Sequence, residues 1–192
     1  MKKLLGIVVL GLLWCNVGFA ELISITDIKI GDKVTEHFTS KQIFEYYQDD
    51  MERTVKGEQV WGKNLKYSAL AFIAEGVVKE DYDVVQIYYE NKTDKIVSIQ
   101  TIDVTSGLTD CTNIRDKYVS IYKKNNRITS LFSKQQDKHK FPDGMIDDFI
   151  NFQGRNKIIS FSCYIYQDGN IDYRFQIYEN NYNDWVFEKF NN

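Results

Sequence analysis

Val84-Val85-Gln86-Ile87-Tyr88-Tyr89-Glu90, Asn91-Lys92-Thr93-Asp94 and Lys95-Ile96-Val97-Ser98-Ile99 follow one another without a break. The outer segments are rich in Val, Ile and Tyr, side chains that fit a pleated, half-buried surface, so both read as strands. The four residues between them are turn formers, and so short a link makes a hairpin of antiparallel neighbours. Working outward, the second strand continues to Val104, and Leu65 to Ala74 reads as another strand upstream. In Lys157 to Tyr166, alternation puts Ile159, Phe161, Cys163 and Ile165 on one side. Gln167-Asp168-Gly169-Asn170, with Asp-Gly at its centre, turns that run into a strand from Ile171 to Tyr178. A further strand is expected near Asp148 to Phe152, and a polar connection over Asn125 to Lys140.

Helical signals lie between these runs. After an extended start at Leu22 to Ile30, Asp32 is placed to cap a turn in which Val34 and Phe38 are neighbours. Thr39-Ser40-Lys41-Gln42 has the form of a capping box, and Ile43, Phe44, Tyr47 and Met51 follow on one stripe. Gly57 to Asn64 is a turn-rich break. Asp110 is expected to cap a helix from Cys111 to about Lys124, with Cys111, Ile114, Tyr118 and Ile121 on one face. A short helix at Asn183 to Phe190, anchored by Trp185 and Phe190, is expected to close the chain. The pattern predicts an α+β fold: an antiparallel sheet of five to six strands with helices packed on one face. Asp94-Lys95-Ile96-Val97-Ser98-Ile99 also echoes Asn156-Lys157-Ile158-Ile159-Ser160-Phe161, as a duplicated helix-plus-three-strand unit would explain.

Residues 1–20 have the layout of a signal peptide: Lys2-Lys3, the apolar run Leu4 to Trp14, then Gly18-Phe19-Ala20 before Glu21. Removing 20 of the 192 residues leaves a single 172-residue domain, 21–192, and taking away Lys2 and Lys3 leaves 22 basic against 27 acidic groups, a net charge of −5. That balance argues against a nucleic-acid binder, and no second long apolar run offers a transmembrane anchor after cleavage. The expected location is periplasmic or secreted. Cys15 falls within the export segment, where a lipidation signal fails because Trp14 stands where a small residue is wanted. The remaining pair, Cys111 and Cys163, reads as a disulfide in an oxidising compartment, two separate buried thiols being the other reading. Both cysteines fall on apolar faces, one of a helix and one of a strand, so a helix-to-sheet link is reasonable.

Candidate chemistry is sparse. The two histidines, His37 and His139, read as a partly exposed helix residue and a solvated loop residue, with no Gly-X-Ser-X-Gly elbow to pair with either. Zinc and EF-hand spacings are absent, as are phosphate-cradling glycine loops, so no catalytic, cofactor-binding or metal residue is assigned. Asp49-Asp50, Glu80 to Asp83 and Asp147-Asp148 read as solvated surface, and nothing selects two of the 27 acids as a catalytic pair. The one hint of a surface is aromatic. Tyr164 and Tyr166 share a strand face with Ser160 and Ser162, and Tyr178 shares one with Asp172, Arg174 and Gln176. Exposed Tyr on a sheet is enriched in binding patches, unless a helix covers that face.

Three islands carry a resemblance: Ile28 to Asp32 running into Phe38 to Ile43; Asp83 to Ile99 leading to Asp110-Cys111; and Ser162-Cys163-Tyr164 followed by Tyr182 to Trp185. With them the chain resembles an uncharacterised family of small exported bacterial proteins. The resemblance implies a signal peptide, one α+β domain and paired cysteines, and carries no catalytic residues. The expected function is a non-catalytic binding or interaction module with a protein or glycan partner in the cell envelope. The alternatives are an exported hydrolase using a carboxylate pair and a carrier of a small apolar ligand.

Overall fold

The computed structural model describes residues 25–47, 54–55, 58–59, 62, 64–77, 79–124, 133–141 and 144–191; residues 1–20, read above as a signal peptide, and Met51 lie outside them. A short hairpin, β1 (Thr54–Val55) with β2 (Glu58–Gln59), stands apart from the main sheet. That sheet has seven antiparallel strands where five to six were expected: β3 (Tyr67–Ile73), β4 (Val84–Glu90), β5 (Ile96–Val104), β6 (Ser133–Lys140), β7 (Ile146–Gln153), β8 (Lys157–Ile165) and β9 (Ile171–Glu179). Their order is β3-β4-β5-β9-β8-β7-β6. Both hairpins read from the sequence are present: the Asn91–Asp94 turn closes with Asp94 at φ 58°, and Gly169 takes φ 89° in the other.

The unforeseen strand is β6, Ser-Lys-Gln-Gln-Asp-Lys-His-Lys, expected as part of a polar connection. It carries no apolar residue, yet all eight of its residues pair with β7. As an edge strand it needs no apolar face, and its lysines discourage another chain from adding to the sheet.

Helices α1 (Val34–His37) and α2 (Ser40–Tyr46) pack on the β3-β4-β5 half, and α3 (Leu108–Lys123) crosses β8 and β9. The Thr39 cap forms as the sequence dictates, with its hydroxyl accepting from the Gln42 N–H at 3.2 Å. Elsewhere the helix signals are displaced. Ile25–Asp27 is a 3-10 turn within the expected extended start, and Lys33 occupies the cap position in place of Asp32, whose carboxylate accepts from the Lys29 N–H and contacts the His37 ring. Phe44 is exposed, because Ile43, Tyr46 and Tyr47 are the side chains that reach the core. Helix α3 begins three residues before Cys111, so Asp110 sits in the first turn and accepts from the Ser106 N–H and hydroxyl. Its buried stripe is Cys111, Arg115 and Val119, leaving Tyr118 and Ile121 exposed.

Cys111 and Cys163 form a disulfide, with Cα atoms 6.0 Å apart and a sequence separation of 52. A loop of that length contributes about 4 kcal/mol in the chain-entropy account. Beside it, buried Arg115 donates to the Asp148 carboxylate at 2.9 Å and to its carbonyl at 3.2 Å, while Lys138 reaches the other carboxylate oxygen at 3.2 Å. This polar clamp fixes α3 to β7 and the edge strand.

Two apolar clusters, around Leu70, Val85 and Ile87 and around Ile159, Phe161 and Tyr173, occupy one face, continuous through the Ile99–Ile177 pair. Each fully buried Leu, Ile or Phe there contributes about 1.5 to 3 kcal/mol. The last helix, α4 (Asn180–Asn191), begins three residues earlier than expected. Its Tyr182, Trp185 and Val186 pack on Tyr67, Ala69, Tyr88, Ile158 and Tyr178, the alternate strand positions. By that alternation α4 lies on the opposite face from α1, α2 and α3, where the sequence reading puts all helices on one face.

Candidate functional site

Helix α4 covers only one end of its face. The remainder forms an open concavity of about 430 Å³ over β6 to β9. Strand register organises its floor into rungs. One runs His139–Asp147–Tyr164–Asp172, the next Asp137–Phe149–Ser162–Arg174, and a third Gln135–Asn151–Ser160–Gln176, continued by Gln100 and Gln86. Sheet interiors are ordinarily apolar, so three polar rungs on one face are unusual in composition.

Part of this polarity is internally satisfied. Gln100 donates to Gln86 at 3.2 Å, Gln176 donates to the Ser98 hydroxyl at 3.1 Å, and the Ser160 and Ser162 hydroxyls lie 3.1 Å apart. At the outer end Tyr166 donates to Asp172 at 2.7 Å, and Arg174 bonds both. The Arg174 guanidinium also stacks 4.0 Å from the centre of the Tyr164 ring. Phe141 continues that stack, lying 6.4 Å from Tyr164 and 4.6 Å from the His139 ring.

Other groups are left open. His139 Nε2, Asp147 Oδ1 and Asn151 Oδ1 are each buried with no hydrogen-bond partner among the described residues, and all three residues line the concavity. An unsatisfied buried polar group costs about 1 to 3 kcal/mol, so three on one surface are a feature to explain. Burial pushes the Asp147 carboxyl up to about 6, against the opposing pull of hydrogen bonds from Ser162 and Tyr164 and the charge of Arg174. Burial likewise raises Tyr164 and Tyr178. Asp137, on the neighbouring rung, is exposed at the rim.

Of the tyrosines singled out from sequence, Tyr164 and Tyr178 both line this concavity, Tyr178 beneath α4, while Tyr166 stands outside it in the Arg174 network. Sequence reasoning put His139 in a solvated loop and Asp147-Asp148 on solvated surface. Instead His139 belongs to a strand, Asp147 faces the concavity and Asp148 is buried against Arg115. The available signal was the alternation of β6, which puts Lys134, Lys138 and Lys140 on one face and Gln135, Asp137 and His139 on the other.

Two other features bear on the chemistry. Asp32, Glu36 and His37 offer ligand atoms within 4.8 Å of one another. Asp32 and Glu36 already accept the Lys29 and Lys33 N–H groups, and the His37 contact holds the Asp32 carboxyl below its usual range. The cluster therefore works as a turn cap. On the helix-bearing face an aromatic groove of about 200 Å³, lined by Tyr82, Tyr118, Tyr122, Phe161, Tyr173 and Phe175, is smaller than the roughly 300 Å³ usual for small-molecule pockets. Among the described residues no helix is long and apolar enough to cross a membrane.

No protein-family model, no curated protein and no solved structure matches the chain.

Proposed function

We propose that the protein is an exported binding module that holds a polyhydroxylated ligand, a glycan segment, in the concavity of its sheet. The observation that carries this reading is the set of buried atoms without partners, His139 Nε2, Asp147 Oδ1 and Asn151 Oδ1, on three residues that line one concavity. Hydroxyl groups both donate and accept, and so match a mixed set of open acceptors and an imidazole. Asp147 and Asn151 are four residues apart on one strand, about 13 Å, so the floor suits an extended ligand better than a single small group. Phe141, Phe149, Tyr182 and Phe187 supply ring faces around it. Arg174, on the middle rung, has its terminal nitrogen held by Asp172 and Tyr166, while its Nε is buried without a partner.

Export rests on the signal-peptide layout of residues 1–20 and agrees with the Cys111–Cys163 bridge, since disulfides persist in oxidising compartments. Membership of the family of small exported bacterial proteins is part of the same proposal. So is a duplicated origin: α1-α2-β3-β4-β5 and α3-β6-β7-β8 occupy the two halves of the sheet with β9 between them. Titration calorimetry with cello-, chito-, malto- and xylotetraose tests the reading. At least one should bind, and Asn151→Leu should weaken it about tenfold; unchanged affinity in that variant would place binding elsewhere.

A further inference from the structure

The concavity selects two carboxylates from the others near it. Asp148 faces the opposite side of the sheet, bound by Arg115 and Lys138, and Asp172 is bound by Arg174 and Tyr166. Asp147 and Asp137 remain. They stand on adjacent strands of one face: His139 pairs with Asp147 and Asp137 pairs with Phe149, which makes Asp137 and Asp147 diagonal neighbours. Such neighbours are about 7 to 8 Å apart. From backbone positions at that spacing two carboxyl groups can reach the roughly 6.5 to 9.5 Å separation that leaves room for a water in inverting glycoside hydrolysis.

Their surroundings differ in the way that chemistry requires. Asp147 lies between His139 and Tyr164 on its rung and lines the concavity, with one carboxylate oxygen buried and unpartnered. Asp137 stands exposed at the rim, its carboxylate accepting the Lys138 N–H at 2.8 Å. One group is placed to hold a proton in a dry setting, and the other stands beside water.

We infer that the concavity hydrolyses a glycosidic bond with inversion, Asp147 acting as general acid and Asp137 as general base, an activity that rests on the glycan-binding reading above. Asp147 gives its proton to the bridging oxygen as the anomeric carbon–oxygen bond breaks. A water beside Asp137 forms the new bond on the opposite face of the ring and passes its proton to the Asp137 carboxylate. Exchange with solvent returns both groups to their starting states. One water is consumed, a hemiacetal and an alcohol are released, and no electrons change hands.

The test uses the disulfide-bonded protein and the same four tetrasaccharides, with proton NMR recording the anomer first released. Cleavage of at least one should give the inverted anomer. Asp137→Asn and Asp147→Asn should each lower kcat at least about 100-fold, well beyond any change in KM. The wild-type rate should fall as pH rises above about 6, because Asp147 must carry its proton. A retained anomer, or equal rates in either variant, would overturn the inference. A tetrasaccharide that binds without being cut also overturns it while leaving the binding reading intact. A panel that neither binds nor is cut removes both.

Discussion

The two faces of the sheet are built from alternate residues of the same strands, yet they handle polarity in opposite ways. On the face bearing α3, Ile159, Phe161 and Tyr173 pack against the helix, and the buried charges are paired: Arg115 with Asp148, at 5% and 6% exposure. On the other face, β6 to β9 leave His139, Asp147 and Asn151 with open hydrogen-bonding capacity. The α3 face also buries two hydroxyls without partners, Thr101 Oγ1 and Tyr122 Oη, so the contrast lies in the ionisable groups, which are paired there and left with an open atom at His139 and Asp147 on the other face. Stability resides on the first face, and the recognition proposed above on the second.

Breaking the paired face should have the largest effect. Arg115→Ala leaves buried Asp148 with only the exposed Lys138 as a partner and should lower stability by about 3 kcal/mol in urea denaturation. On the open face, Asn151→Leu removes an unsatisfied acceptor and should leave stability unchanged or raise it by about 1 kcal/mol. A loss of several kcal/mol there would mean that Asn151 serves the fold. Next in size is the disulfide. Replacing Cys111 and Cys163 by Ala should cost about 2 to 4 kcal/mol, leaving saccharide binding intact once the variant is kept folded below its lowered Tm.

The pH dependence of the open face comes after the disulfide. Asp147 has its folded pKa raised from 3.8 to about 6, so the native state holds its proton where the unfolded chain has released it. Its contribution is therefore complete below about pH 3.8 and is lost as pH rises through about 6. Two units at about 1.4 kcal/mol each set an upper bound of about 3 kcal/mol, reduced by any water that reaches the group. Thermal melts at pH 5 and pH 7.5 should show this slope in the wild type and lose it in Asp147→Asn. An identical slope in both would assign it to another group.

The stabilising face was largely legible in the sequence because its signals are local. Alternation in Lys157 to Ile165 places Cys163 inward, and the Asp-Gly turn fixes the β8–β9 register. The long helix was read one step out of phase because a buried Arg at position 115 looks polar to any periodicity rule, although its stem and its partner Asp148 make it interior. The recognition face was nearly invisible. Strand β6 carries no apolar residue, and Asp147 acquires its meaning only through cross-strand neighbours: His139 directly opposite, Asp137 diagonal and Tyr164 on the far side. Those neighbours lie in two other strands, β6 and β8, and one sequence does not show which rungs align. Tyr164 and Tyr178 were accessible because strand parity alone puts Tyr164 with Ser160 on a face of one strand and Tyr178 with Gln176 on a face of the next, and the β8–β9 register joins the two.

The most direct measurement is a residue-resolved NMR map of amide shifts on titration with the tetrasaccharide that binds. Division of labour between the faces predicts shifts at Asp137, His139, Asp147, Asn151 and Ser160, with α3 and the aromatic groove near Tyr118 unaffected. Shifts centred on Tyr118, Tyr122 and Tyr173, with β6 and β7 silent, would contradict it.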